Sequence, residues 1–301
     1  MKLNSLQSDD NKAHAAPIVQ RDFSVVTADG LTLQGRYWAP QKILGVLAWV
    51  HGYAEHRTRY AHFGHWMASR GMALVIVDLR GYGDSPGQRG YVADYAEYFH
   101  DVSALLNFCK TTWPGIPMTL GAHSMGALIA ARYLEENLAP INISAVVLTG
   151  IFMGLYTPLP FWKNAVARIA ARVFPRFSLP NHIPINLLTH DTGICHAYAT
   201  HPLVFHTGAA GWHRATIISQ KLALQRARQI QLPCLILHGL DDRLASPSDA
   251  LALYENISST KKQWIGYPGL YHEILNELNR EQIYTDILNW LMPYLEKHNV
   301  S

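Results

Sequence analysis

The stretch "LGAHSMGAL", Leu120 to Leu128, places Ser124 among small residues. A serine set this way suits a tight strand-to-helix turn that exposes a nucleophile. The pattern G-x-S-x-G asks for glycine on both sides; Gly126 fills the far place and Ala122 the near one. Taking Gly121 as the first glycine would put His123 at the nucleophile position, which makes no chemical sense. A serine hydroxyl is a weak nucleophile until a base takes its proton. His272 is the candidate base, and Asp241 or Asp242 the acid that would hold its ring. Any one of these residues alone is an ordinary polar side chain. Their order, serine, acid, histidine, with each at the end of an apolar strand-like run, is the signal.

Acyl transfer by a serine also needs two backbone N–H groups aimed at the developing oxyanion. Met125 follows the nucleophile at the start of a helix, where N–H groups lack intrahelical partners. The second donor is expected after the run "GVLAWV", where the chain reads "HGYAEHRTRY". Gly52 allows a tight turn there, and the N–H of Tyr53 is the natural donor.

These residues need elements to carry them. "FSVVTADGLTLQGRYW" (Phe23–Trp38) predicts a hairpin turning at Asp29-Gly30. Strands are expected at Gly45–Gly52, Met72–Arg80, Pro117–Ser124, Ser144–Gly150, Leu232–Gly239 and Lys261–Gly269. Between and after them, helical patterns cover Tyr60–Gly71, Ala93–Thr111, Gly126–Glu136, Ser248–Asn256 and Arg280–Leu295. Such alternation implies an α/β fold: a mostly parallel central sheet with helices on both faces and chemistry at the C-terminal strand ends.

The interval 151–215 breaks that rhythm and reads as a cap inserted between core segments 21–150 and 216–301, with residues 1–20 a polar tail. It is rich in proline and aromatic residues. One amphipathic helix is expected through Trp162, Val166, Ile169 and Val173. Between Ile151 and Arg214, five basic residues (Lys163, Arg168, Arg172, Arg176, Arg214) face one acid, Asp191. The resulting +4 exceeds the +3 of the whole 301-residue chain. A basic, aromatic cap suits peripheral contact with an anionic membrane. The weak, scattered overall charge argues against nucleic-acid binding. Six histidines lie in or beside the cap without metal-site spacing, so no metal is expected. Cys109, Cys195 and Cys234 are widely spaced, which favours a reducing compartment over a disulfide framework. With no signal-peptide pattern and no apolar run of membrane-spanning length, a cytoplasmic location is expected.

The order Ser, acid, His is that of α/β-hydrolases, and the resemblance goes further. His51-Gly52-x-x-Glu55-His56-x-x-Arg59-Tyr60 resembles the oxyanion loop of the monoglyceride lipase and lysophospholipase branch, within the serine aminopeptidase S33-like hydrolases. "DLRGYGDSPGQRG" matches that branch at Asp78, Gly81, Gly83, Ser85 and Gly87. "AHSMGA" resembles its G-H-S-M-G-G turn, departing at Ala122 and Ala127. "LHGLDDRLASP" resembles its acid loop, whose catalytic acid lies three residues past the strand-ending glycine and before an arginine; that implies Asp242, followed by Arg243. "YPGLYHEILNE" resembles its histidine loop, implying His272. The likeness spans about Phe23 to Leu295 and is weak in the cap. It implies the α/β-hydrolase fold and a serine hydrolase of lipid carboxylic esters, with monoacylglycerols or lysophospholipids as substrates and neither metal nor organic cofactor. A general carboxylesterase or an acyltransferase would share these residues. A non-catalytic binding protein on the same scaffold would usually lack one of the three.

Overall fold

The computed structural model describes residues 17–136, 143–157, 169 and 171–295. β1 (Val19–Val26) and β2 (Thr32–Ala39) form the hairpin, paired from Val26 with Thr32 to Val19 with Ala39. Gly30 turns the corner at φ +87°, and Thr27 closes it by accepting the Gly30 N–H on its carbonyl and the Leu31 N–H on Oγ1. β3 (Gly45–Val50), α1 (Ala61–Ala68), β4 (Met72–Val77), α2 (Ala96–Thr112), β5 (Met118–His123), α3 (Met125–Glu135) and β6 (Ile143–Thr149) follow.

The next interval holds β7 (Ser178–Pro180), α4 (Thr192–Thr200) and β8 (Thr207–Ala209), with β7 and β8 paired as a small sheet of their own. α5 (Ala210–Arg226) then leads to β9 (Cys234–Gly239), α6 (Pro247–Asn256), β10 (Lys262–Tyr267) and α7 (Arg280–Leu295). Of the expected cap helix, Trp162 and Val166 lie outside the described residues. Ile169 and Val173 are helical and exposed rather than packed inward.

The main sheet runs β1-β2-β4-β3-β5-β6-β9-β10. β2 pairs antiparallel with both β1 and β4, and the pairings from β4–β3 through β9–β10 are parallel. This is the expected mostly parallel α/β architecture. β3, β4, β5 and β9 are buried throughout, which is why they read as unbroken apolar runs instead of alternating ones. Val46, Ala48 and Val50 face one core with α2 and α3. Leu47 and Trp49 face the other, with α1 and α7. The strand order places β5 beside β3 and β6, and β9 between β6 and β10. The C-terminal ends of β3, β5, β9 and β10 therefore open toward one edge.

Sequence patterning missed α5. Its buried residues are Gly211, Ala215, Thr216, Ser219 and Ala223. That is a helical stripe of small residues, and it carries too little hydropathy contrast to stand out.

Candidate active site

β5 ends at His123, and Ser124 forms the corner into α3 at φ 53° and ψ −116°. L-residues rarely adopt this region, and holding one there costs about 1–3 kcal/mol. The corner is fixed from both sides. The Ser124 N–H donates to the Thr149 carbonyl at 2.9 Å, while the Ser124 carbonyl accepts from Leu128 and Phe152 N–H. A side chain at Gly126 has no room, since its Cβ would lie 2.3 Å from the Val50 oxygen and 2.4 Å from that of His51. Ala122 is fully buried in β5, paired with Val50 and Leu148.

Ser124, Asp242 and His272 converge, and Asp241 does not. His272 Nδ1 lies 2.6 Å from Asp242 Oδ2, and its Nε2 lies 2.8 Å from Ser124 Oγ. An ionised carboxylate only accepts, so Nδ1 carries the proton. Nε2 is then free to accept the serine proton. Asp242 Oδ1 is occupied by the Leu244 and Ala245 N–H groups at 2.7 and 2.9 Å. Asp241 instead accepts the Gly269 N–H at the surface. Burial pushes the Asp242 carboxyl up, but His272 and the hydrogen bonds it receives outweigh burial and hold it well below the usual carboxylate range. Burial likewise pushes His272 down, and the Asp242 charge and hydrogen bond outweigh this, leaving it above its ordinary value.

The segment after β3 runs alongside the serine: a Cβ on Gly52 would sit 3.2 Å from Ser124 Cβ. Neither the Tyr53 nor the Met125 N–H is taken by another group among the described residues. His51 braces this loop. Its Nε2 accepts the Leu79 N–H at 3.0 Å and its Nδ1–H donates to the Gly52 carbonyl at 2.8 Å. Tyr53 reaches the other way, and its hydroxyl donates to the Thr207 carbonyl of β8 at 2.5 Å.

Residues given no role from sequence complete the surroundings. Glu55 Oε2 accepts the Gly52 N–H at 3.2 Å and the Tyr60 hydroxyl. Arg59 holds Glu273 through two parallel bonds of 2.9 and 2.8 Å and lies 3.2 Å from Glu55. Burial pushes Glu55 up, whereas Arg59 overcomes burial at Glu273 and holds it low. His123 donates from Nδ1 toward Thr149, and burial, then the neighbouring His272, pushes it down to about 3, so it stays neutral. The sequence signal was present for Glu55 and Arg59, which sit in "HGYAEHRTRY", and for Glu273, which follows His272. Nothing in the linear order joins them. The described residues contain no group of three or more His, Cys, Asp or Glu able to hold a metal ion.

A mostly parallel sheet that sets a serine on a strained turn, bonded to a histidine and through it to an aspartate, defines a serine hydrolase of the α/β-hydrolase class. The chain belongs to the serine aminopeptidase, S33 family, which matches residues 41–279. The monoacylglycerol lipase of Mycolicibacterium smegmatis is 29% identical over 276 residues, 91% of this chain and 98% of that one. The monoglyceride lipase of Mus musculus is 30% identical over 260 residues, 84% of each chain. A soluble variant of the Saccharomyces cerevisiae monoglyceride lipase, solved with a substrate analogue, superposes with a TM-score of 0.78 at 21% identity. It covers 98% of this chain and 99% of that one, a likeness of fold.

Proposed function

We propose that this enzyme hydrolyses carboxylic esters of lipids, with monoacylglycerols or lysophospholipids as its substrates and Ser124, His272 and Asp242 as its catalytic triad. The observation that carries the proposal is the continuous path from Ser124 Oγ through both ring nitrogens of His272 to Asp242. Ser124 attacks the ester carbonyl as His272 Nε2 takes its proton, and Asp242 stabilises the imidazolium. The N–H groups of Tyr53 and Met125 hold the oxyanion. His272 returns the proton to the departing alcohol, leaving an acyl-Ser124. Water then repeats the sequence and releases the fatty acid.

The lipid preference draws on the named activities of the relatives and on the segment 151–215, which we assign as a cap inserted into the core formed by 21–150 and 216–301. Val173, Phe174, Phe177 and Leu179 are each at least 57% exposed, beside exposed Arg172 and Arg176. An apolar surface flanked by arginines suits peripheral contact with an anionic membrane. No described helix is long and apolar enough to cross a membrane. A cytoplasmic location accords with the three free thiols of Cys109, Cys195 and Cys234.

The test is a competition among monoacylglycerol, lysophospholipid and short p-nitrophenyl esters, with Ser124→Ala as control. Lipid esters should dominate, and the control should be inactive. Turnover of short esters alone would replace the lipid reading with a general carboxylesterase. Full activity in Ser124→Ala would end the triad reading. Adding acyl acceptors to the same assay separates hydrolysis from acyl transfer. Co-sedimentation with anionic vesicles should weaken as salt rises; indifference to salt and to lipid charge would remove the role given to the cap.

A further inference from the structure

His238, at the end of β9, is fully buried, and neither of its ring nitrogens has a well-aligned hydrogen-bond partner among the described residues. Unpartnered buried polar groups are uncommon and costly. Its Nε2 is 3.1 Å from Oδ2 of Asp242, the same oxygen that His272 Nδ1 approaches to 2.6 Å, but it lies out of line for a hydrogen bond. The ring is therefore within bonding distance of the acid.

We propose that His238 is a positioning residue of the hydrolytic reaction, its Nε2–H serving as a second donor to Asp242 Oδ2 that divides the charge of the acid between two imidazoles. This rests on the triad reading above. With His238 donating, Asp242 keeps its ionised form and its rotamer while His272 passes the proton back and forth. Without His238, the whole charge of the carboxylate bears on His272 and favours the imidazolium. The groups facing this centre are Asp242 from the loop after β9, His272 and Glu273 from the loop after β10, His123 from β5, and Glu55 and Arg59 from the segment after β3. On its flanks, β10 contributes the parallel ring of Trp264 at 6.1 Å, and α6, packed on β9, carries Asp249 and Tyr254.

Two measurements test this. The first compares pH profiles of kcat/KM for a p-nitrophenyl ester in the wild type, His238→Leu and His238→Gln. The acid limb in His238→Leu should move up by about half to one pH unit, because a donor to a charged acceptor is gone. His238→Gln, whose amide can still donate, should stay close to the wild type. Coincident limbs in all three proteins, with only thermal stability reduced, would show a purely structural residue and overturn the proposal. The second uses the wild-type enzyme labelled with ¹⁵N-histidine, the His238→Gln spectrum providing the assignment. The proton of His238 should be on Nε2; finding it on Nδ1, with a bare Nε2 toward the carboxylate, would overturn the proposal even if His238→Leu fails to fold. Neither result depends on the Ser124→Ala control, so failure of the triad reading shows separately.

Discussion

Gly126 and Val50 meet without space between them: a Cβ on Gly126 would stand 2.3 Å from the Val50 carbonyl oxygen. Val50 also pairs with Ala122 across β3 and β5. The two small residues flanking Ser124 thus press against the same strand end, but only one of them must be glycine. Gly126→Ala is expected to lose most activity and about 1–3 kcal/mol of stability through overpacking against backbone that cannot retreat. Ala122→Gly should keep activity, and Ala122→Val should lose it. Ester turnover with urea denaturation decides the matter; an active, normally stable Ala122→Val would refute the crowding argument.

The strain at Ser124 leads to a second expectation. At φ 53° a side chain is disfavoured and glycine is not. Ser124→Gly should abolish turnover and yet stabilise the fold by about 1 kcal/mol, the lower end of the cost of such a conformation. Denaturant midpoints of the wild type and variant test this directly. A destabilised Ser124→Gly would mean that the corner is held without strain.

The histidine sets the pH dependence. Since Asp242 raises His272 above its ordinary 6.5, the acid limb of kcat/KM should lie above that value. Asp242→Asn should move the limb down and reduce kcat by about 10⁴-fold, as loss of the orienting acid does elsewhere. The stability change has a definite sign. A raised histidine contributes fully below its unfolded value and loses that contribution as pH rises through its folded value. Asp242, held low, contributes above its unfolded 3.8 and loses this only as pH falls through its folded value. The stability advantage of the wild type over Asp242→Asn should therefore shrink between about pH 6 and pH 9. Denaturation at both values measures it, and a constant difference would contradict the coupling.

Much of this arrangement was legible in the sequence because it is local. Ser124 sits at the end of one apolar run, the acid follows another, and His272 a third. The strands before Ser124 and the acid, β5 and β9, are buried along their whole length and read as uninterrupted runs, whereas β10, before His272, is only partly buried. Choosing Asp242 over Asp241 needed either the family likeness or the observation that Asp241 turns outward to Gly269. The helix Ala210–Arg226 was invisible because its packed face is Gly211, Ala215, Ser219 and Ala223, small residues with no hydropathy contrast. The pairing of Arg59 with Glu273 spans more than two hundred residues and exists only once β3 and β10 share a sheet.

Arg59 sits between two carboxylates buried as deeply as itself, with side-chain exposures of 10% for Arg59, 5% for Glu55 and 3% for Glu273. Glu55 in turn holds the Gly52 N–H, so the arginine ties the loop beside Ser124 to the loop that carries His272. Replacing it by leucine leaves both carboxylates unpaired, at a cost of about 3–5 kcal/mol. Arg59→Lys keeps the charge but cannot grip Glu273 with two nitrogens while touching Glu55, so it should recover only part of the loss. The deficit of Arg59→Leu should be larger at about pH 8 than at about pH 5, since Glu55, already pushed up by burial, can take a proton and relieve the repulsion. Denaturation of both variants at the two pH values, together with kcat, checks this. An Arg59→Leu protein within about 1 kcal/mol of the wild type at pH 8 would show that the buried carboxylates find their compensation elsewhere.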